Sequence, residues 1–387
     1  MFALGMRNEL LHFRINLERL ETAADLVADT TRSAYPSLDV PFHSRWRHFE
    51  FQGVDRWAAL AGTQLWSAEE AARAAFDLAI VSVLLDAGAG TRWAYHDRNS
   101  GVAVGRSEGL ALATLTMFED GVFSADPENP LRVDAAALRD LSAETLRRGF
   151  QISDANPLVG IEGRMNLLRR LGKVVTEHAD VYGQHDLPRP GGLYDTLAAG
   201  SKGQSIPAPV ILSELLRHLT PIWPSSETLA GVPLGDCWRH PLLRTADATD
   251  HLVPLHKLSQ WLAYSLIEPL QRAGYAVPDV DGLTGLAEYR NGGLFVDTGV
   301  LTLRDPAQST RDHDVGSALV VEWRALTVAL LDELASKVRR LLKVDAALFP
   351  LACLLQGGTW AAGRSLAFKL RPDGSSPIRV VSDGSVF

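Results

Sequence analysis

The stretch 281–303, DGLTGLAEYRNGGLFVDTGVLTL, sets Glu288, Tyr289, Arg290 and Asn291 beside two adjacent glycines, with Asp297 close behind, among mostly apolar residues. Charges of both signs in such a setting are paired or meet a ligand, because an isolated buried charge is prohibitively costly. Gly292 and Gly293 let backbone approach another group closely, or take positive φ. The stretch reads as the wall of a polar pocket, with a structural Glu–Arg pair at a turn as the plainer alternative. On its N-terminal side, 254–270 (PLHKLSQWLAYSLIEPL) has the spacing of a strongly apolar helix. Lys257 falls in its first turn beside Leu258, Trp261 and Leu262; such a lysine snorkels to water or projects into a cavity. On the other side, 320–342 reads as a long helix with Glu322 and Arg324 at its start.

A chain of 387 residues can bury a substantial core and suggests about two or three domains. Hydrophobic residues at 46% and charged residues at 22% are ordinary for a globular protein. The net charge of -8 sets the bulk surface against nucleic acid and anionic lipid, although a local basic pocket stays open as an option. Two cysteines, Cys237 and Cys353, cannot alone form a metal cluster and point to a reducing compartment. The first residues lack the apolar run and small-residue cleavage site of a signal peptide, and no run of about 18 apolar residues occurs. The expectation is a cytoplasmic protein with no membrane span and no nucleic-acid partner.

Helical spacing extends over 8–32, 67–85, 107–118, 134–149, from about 159, and over 209–219. Ser67 is the expected N-cap of the second, with Glu69 and Glu70 in its first turn. The glycines of LLDAGAG (84–90) are its expected stop, which puts Asp86 and Trp93 at the edge of a pocket. The loop 41–53, PFHSRWRHFEFQG, gathers His43, Arg45, Arg47 and His48 among aromatics, either as an anion site or as a basic strap over a core. Asp236, Arg239 and His240 share one short turn region in LGDCWRHP (234–241). The Gly-, Pro- and Ser-rich stretch 183–207 is the expected connector or lid between a helical domain 1–182 and a second, 208–387, that holds most site residues. Alternation in PIRVV after a Pro-Asp-Gly turn suggests a small β-hairpin near the C-terminus. The fold expected is mainly α.

Several chemistries lack their signatures. No G-x-S-x-G elbow, phosphate loop, H-x-x-x-H or C-x-x-C spacing is present, so neither metal nor cofactor is expected. Carboxylate-plus-cation chemistry remains: Asp236, Glu288, Asp297 and Glu322 with Lys257, Arg239, Arg290 and Arg324. A carboxylate activates water or stabilises an oxocarbenium-like centre when a glycosidic bond breaks, and a nearby cation holds a phosphate or the leaving group. Composition permits this reaction without selecting it.

The strings LLDAGAG (84–90), RSEGLALATLTMF (106–118), ANPLVGIEGR (155–164), PIWP (221–224), LGDCWRHP (234–241), HKLSQWLAYSLIEPL (256–270), LTGLAEYRNGGLFVDTGVL (283–301), VEWRALTVALLD (321–332) and GGTWAAGR (357–364) resemble the uracil-catabolism-four family over nearly the whole chain. A more distant similarity is to the queuosine-salvage nucleotide glycosidases. It rests on Leu84–Gly88, on Lys257-x-x-Gln260, on Glu288-Tyr289-Arg290 followed by Gly299-Val300-Leu301, and on Glu322-Trp323-Arg324-Ala325. That similarity implies a helical, DNA-glycosylase-like architecture and cleavage of an N-glycosidic bond, with Lys257 and Glu288 as the lysine and acid at the reacting centre. The salvage enzymes carry Asp where this chain has Glu288, and Pro-Gln where it has Gly292-Gly293. One methylene moves a carboxylate by about 1 Å, and the glycines would widen or reshape the base pocket, so a different leaving group is implied. Ring opening of uracil yields an N-ribosyl urea, from which a glycosidase would release urea.

Under that resemblance Glu288 orients or activates water and Lys257 contacts phosphate, ribose or leaving group. Tyr289, Arg290, Asn291, Asp236, Arg239 and His240 position a small-molecule substrate, with Asp297 or Glu322 as second carboxylate and Arg324, Asp86 and Trp93 nearby. Plainer readings stand beside these: Tyr289 packs, and Glu322–Arg324 is a helix-start ion pair. Phosphoribosyl transfer to uracil, suggested by Asp297-Thr298-Gly299, and a non-catalytic scaffold are the alternatives. The sequence leaves the oligomeric state open.

Overall fold

Helices form where the caps and apolar periodicity place them. The helix Ala68–Leu84 begins at Ser67, whose hydroxyl accepts from the Glu70 N–H at 3.2 Å. Almost every residue from Ala72 onward is buried, so this helix is wrapped on all sides. In this computed structural model, which describes residues 1–90, 92–183, 187–223 and 227–381, helices dominate and the described strands form six two-stranded sheets. The mainly α expectation holds in this respect. No described helix is long and apolar enough to cross a membrane.

The described chain divides into two compact units, one built from residues 1–43, 227–260 and 280–381, the other from 44–223 and 261–279. This differs from a division into 1–182 and 208–387, because the chain passes between the units more than once. Within 183–207, Arg189 to Leu193 are buried in the second unit. Arg189 pairs with buried Asp77 at 2.6 Å, and Pro190, Gly191 and Gly192 are buried. A Cβ on Gly191 or Gly192 would overlap the backbone of Arg73 or Tyr182.

Three further expectations change. The reading of 8–32 as one helix gives way to a strand, Phe13–Ile15, paired antiparallel with Leu301–Leu303, before a helix Arg19–Ala34. The expected helix 134–149 breaks into Ala135–Asp140 and Ala143–Gly149, the second capped by Ser142. No C-terminal hairpin is formed among the described residues: Arg379–Val381 pairs parallel with Asp312–Asp314, and 357–370 is helical. For the two strands, the partner lies far away in sequence, where local periodicity cannot reveal it.

The loop after Leu84 is tied by a distant side chain. Arg164, fully buried, donates to the carbonyls of Leu85 (2.9 Å), Ala87 (2.8 Å) and Gly88 (3.2 Å), and so satisfies the cap residue and the turn that follow the helix.

Within the first unit, the helix Tyr289–Asp297 packs on the long helix Ala318–Leu342. Gly292 makes this possible: a Cβ there would sit 2.8 Å from the Trp323 ring, whose Nε1 donates to the Gly292 carbonyl at 3.1 Å. Gly293 faces Pro377. Gly292 thus serves helix packing. Gly292→Ala is expected to lower stability by about 1–3 kcal/mol, read as a fall in melting temperature. An unchanged melting temperature would contradict this packing.

Candidate functional site

Glu288 starts the helix Tyr289–Asp297. Its two carboxylate oxygens accept the backbone N–H groups of Arg290 (3.0 Å) and Asn291 (2.7 Å). Glutamate is an unusual N-cap, since the shorter Ser, Thr, Asp and Asn are preferred. A carboxylate has about four lone-pair sites, so this cap leaves acceptor capacity for water or a sugar hydroxyl, and the side chain is only partly buried. Asn291 is buried; its Nδ2 donates to the Leu286 carbonyl at 3.2 Å, while its Oδ1 has no partner among the described residues. Arg290 lies over the rings of Trp360 (4.2 Å to the centroid) and Tyr289 (5.2 Å).

The backbone just before Glu288 is held by a buried ion pair. Arg324 Nε donates to the Ala287 carbonyl at 3.2 Å, and its Nη1 and Nη2 each meet a carboxylate oxygen of Asp236 at 2.8 Å. Asp236 also accepts from Trp238 Nε1 (2.7 Å) and from the backbone N–H of Lys257 (2.9 Å). Lys257 is the first residue of the helix Lys257–Arg272. One ion pair therefore anchors the backbone of Lys257 and of the residue preceding Glu288. Burial alone would raise the Asp236 pKa, but the Arg324 charge and these hydrogen bonds outweigh it and bring it down to about 2. Gln260, one turn along, adds a further tie, its Oε1 accepting from the Thr284 N–H at 3.1 Å.

His256 precedes Lys257 with φ of 47°, strained for a non-glycine residue. Its Nδ1 is buried without a partner among the described residues. Burial lowers its pKa, Asp236 opposes that shift and Arg324 adds to it, which leaves a neutral ring at pH 7.

Other expected site residues have structural partners. Glu322, fully buried, accepts the N–H groups of Leu11 (3.1 Å), His12 (2.9 Å) and Phe13 (2.9 Å), and so fastens the N-terminal strand. Its other neighbour is His240, whose Nε2 stands 3.3 Å away, a long contact outside good hydrogen-bond geometry. His240 Nδ1 accepts from Leu242 N–H, so the ring proton belongs on Nε2, toward Glu322. Asp297 is gripped by Arg371 at 2.6 and 2.9 Å. Arg239 is exposed and pairs with Glu227 at 2.7 Å. Asp86 and Trp93 belong to the other unit: Asp86 pairs with fully buried Arg45 at 3.2 Å, and Trp93 donates to the Phe150 carbonyl at 2.9 Å. Trp360 and His256 were given no role by sequence reasoning. The motif GGTWAAGR was the available signal for Trp360, and the position next to Lys257 the signal for His256. Among the described residues, no group of three His, Cys, Asp or Glu side chains could hold a metal ion.

These observations define a mainly helical protein with a buried carboxylate–guanidinium clamp beneath a lysine and a glutamate. The chain belongs to the family described as Protein of unknown function (DUF1688), which matches residues 1–387. It is 41% identical over 390 residues to Protein urg3 of Schizosaccharomyces pombe, covering 98% of this chain and 92% of that protein. It is also 37% identical over 411 residues to Uracil catabolism protein 4 of Lachancea kluyveri, covering 97% and 92% respectively.

Asp236→Asn removes the negative half of the clamp and leaves Arg324 uncompensated, at an expected cost of about 3–5 kcal/mol at pH 7. Because the folded pKa lies below the unfolded one, the clamp contributes fully above the unfolded pKa of about 4 and fades as pH falls through about 2. Denaturant unfolding across that window should show the decline, about 2 kcal/mol, in the wild type and not in the variant. A variant as stable as wild type at pH 7 would refute the clamp.

Proposed function

We propose that this protein acts in uracil catabolism as an N-glycosidase that hydrolyses a ribosylurea, or its phosphate, to release urea. Similarity to Uracil catabolism protein 4 supports the pathway. One observation supports the chemistry: a single buried pair, Asp236–Arg324, fixes the Lys257 amide and the Ala287 carbonyl, and so the starting points of both candidate catalytic side chains. Preorganised placement of this kind is what an N-glycosidic cleavage needs, since misplacement of about 1 Å costs about a hundredfold in rate.

In the reaction, the bond between the anomeric carbon and the urea nitrogen breaks, and the nitrogen leaves with the bonding pair. Glu288 orients water toward that carbon and takes its proton as the new C–O bond forms. The leaving nitrogen takes up a proton, giving urea and the free sugar. Lys257 contacts the phosphate, the ribose or the leaving group. Asn291, whose Oδ1 is unpartnered among the described residues, offers an acceptor to a urea N–H or a hydroxyl. Phosphoribosyl transfer would draw on Asp297-Thr298-Gly299. Asp297 and Thr298 end a helix and Asp297 is bound by Arg371, which lends that reading no support.

Incubation of the purified protein with ribosylurea and with its phosphate, followed by assay of free urea, tests the reaction. Urea release is expected, with a loss of about 10²–10⁴-fold in kcat for Glu288→Gln. Glutamine can still accept a helix amide, so the variant should stay folded and the loss be chemical. No urea from either compound sinks the reaction; full activity in Glu288→Gln sinks the role of that carboxylate.

A further inference from the structure

Arg324 and Arg371 each grip a carboxylate, whereas no carboxylate among the described residues pairs with Arg290. The carboxylate two residues away, Glu288, is turned to the amides of Arg290 and Asn291, and Asp297 at the other end of the helix is taken by Arg371. The Arg290 guanidinium instead lies 4.2 Å from the Trp360 ring centroid and 5.2 Å from that of Tyr289, and the Arg364 guanidinium lies 5.3 Å from the same Trp360 ring.

Stacking fixes the plane of a guanidinium while its edge donors stay directed outward, and that fork matches a phosphate oxygen pair. The arrangement is rigidly built. Trp360 follows a π-helical turn, Leu355–Thr359, a form that is rare and frequent at functional sites. Gly363 lets this helix approach Arg290 so closely that a Cβ there would overlap the Arg290 carbonyl. Arg290 and Glu288 stand at the same end of one helix, as the two ends of a ribose phosphate, anion and anomeric carbon, would require.

We propose that Arg290, stacked on Trp360 and flanked by Arg364, binds the phosphate of a sugar-phosphate substrate. Resting on the glycosidase reading, this makes the phosphorylated ribosylurea the compound turned over.

Calorimetric titration with ribose 5-phosphate and with ribose tests the site without any reaction. Wild-type protein is expected to bind the phosphate about 10- to 100-fold more tightly at low salt. Arg290→Gln should lose that difference, and Arg290→Lys, which keeps the charge but not the fork, should retain only part of it. Equal binding of the two sugars by the wild type, or a preference undiminished in both variants, overturns the proposal. A phosphate preference without urea release sinks the reaction and leaves the anion site standing. Urea released from ribosylurea and its phosphate at equal kcat/KM sinks the anion site and leaves the reaction standing.

Discussion

Asp236 and Arg324 are 4% and 1% exposed, and the first unit is organised around the need to keep both satisfied. Taking two charges out of water costs several kcal/mol per ion, and only complete hydrogen bonding offsets it. Here the carboxylate accepts four hydrogen bonds, two from Arg324, one from Trp238 and one from the Lys257 amide. The guanidinium spends its remaining Nε–H on the Ala287 carbonyl. Each of these partners belongs to a different segment, so satisfying one ion pair fixes the relative positions of the strand Cys237–Arg239, the start of the Lys257–Arg272 helix, the residues before Glu288 and the long Ala318–Leu342 helix. An apolar cluster of Val253, Leu255, Ala287 and Val321 packs beside the same segments.

A second layer of buried polar contacts plays the same part elsewhere. Glu322 holds three consecutive amides of the N-terminal strand, Arg164 ties the turn after the helix Ala68–Leu84, and Asp77 accepts from Arg189 and from the Val133 and Gly191 amides. Each is a buried charged side chain reaching backbone groups from distant parts of the sequence. Buried polar networks of this kind are costly when incomplete and specific when complete.

This explains what the sequence could and could not reveal. Helices with local signals were legible: the Ser67 cap, the Ala208–Leu219 helix and the long helix after Ser317 follow from spacing and capping residues. The N-terminal strand was not, because its partner Leu301–Leu303 and its anchor Glu322 lie some 300 residues away. The end of the Ala68–Leu84 helix was legible from the glycines that follow it, whereas the bonds from Arg164 to that turn come from about 80 residues away. At the site, the charged residues around Lys257 and Glu288 were legible as one neighbourhood, because buried charges must find partners. Their roles were less so. Asp236 and Arg324 consume each other, Glu322 and Asp297 are spoken for, and Gly292 yields to Trp323. Trp360 was legible only as part of the string GGTWAAGR, since an indole reads as core until its neighbours are known.

The central claim is that one ion pair positions both Lys257 and the segment leading into Glu288. Amide hydrogen exchange in an Arg324→Gln variant measures this directly. Faster exchange at Lys257 together with Arg290 and Asn291, in a protein otherwise protected as in the wild type, is the predicted result. Exchange that rises in only one of these segments, or in neither, would contradict a shared clamp.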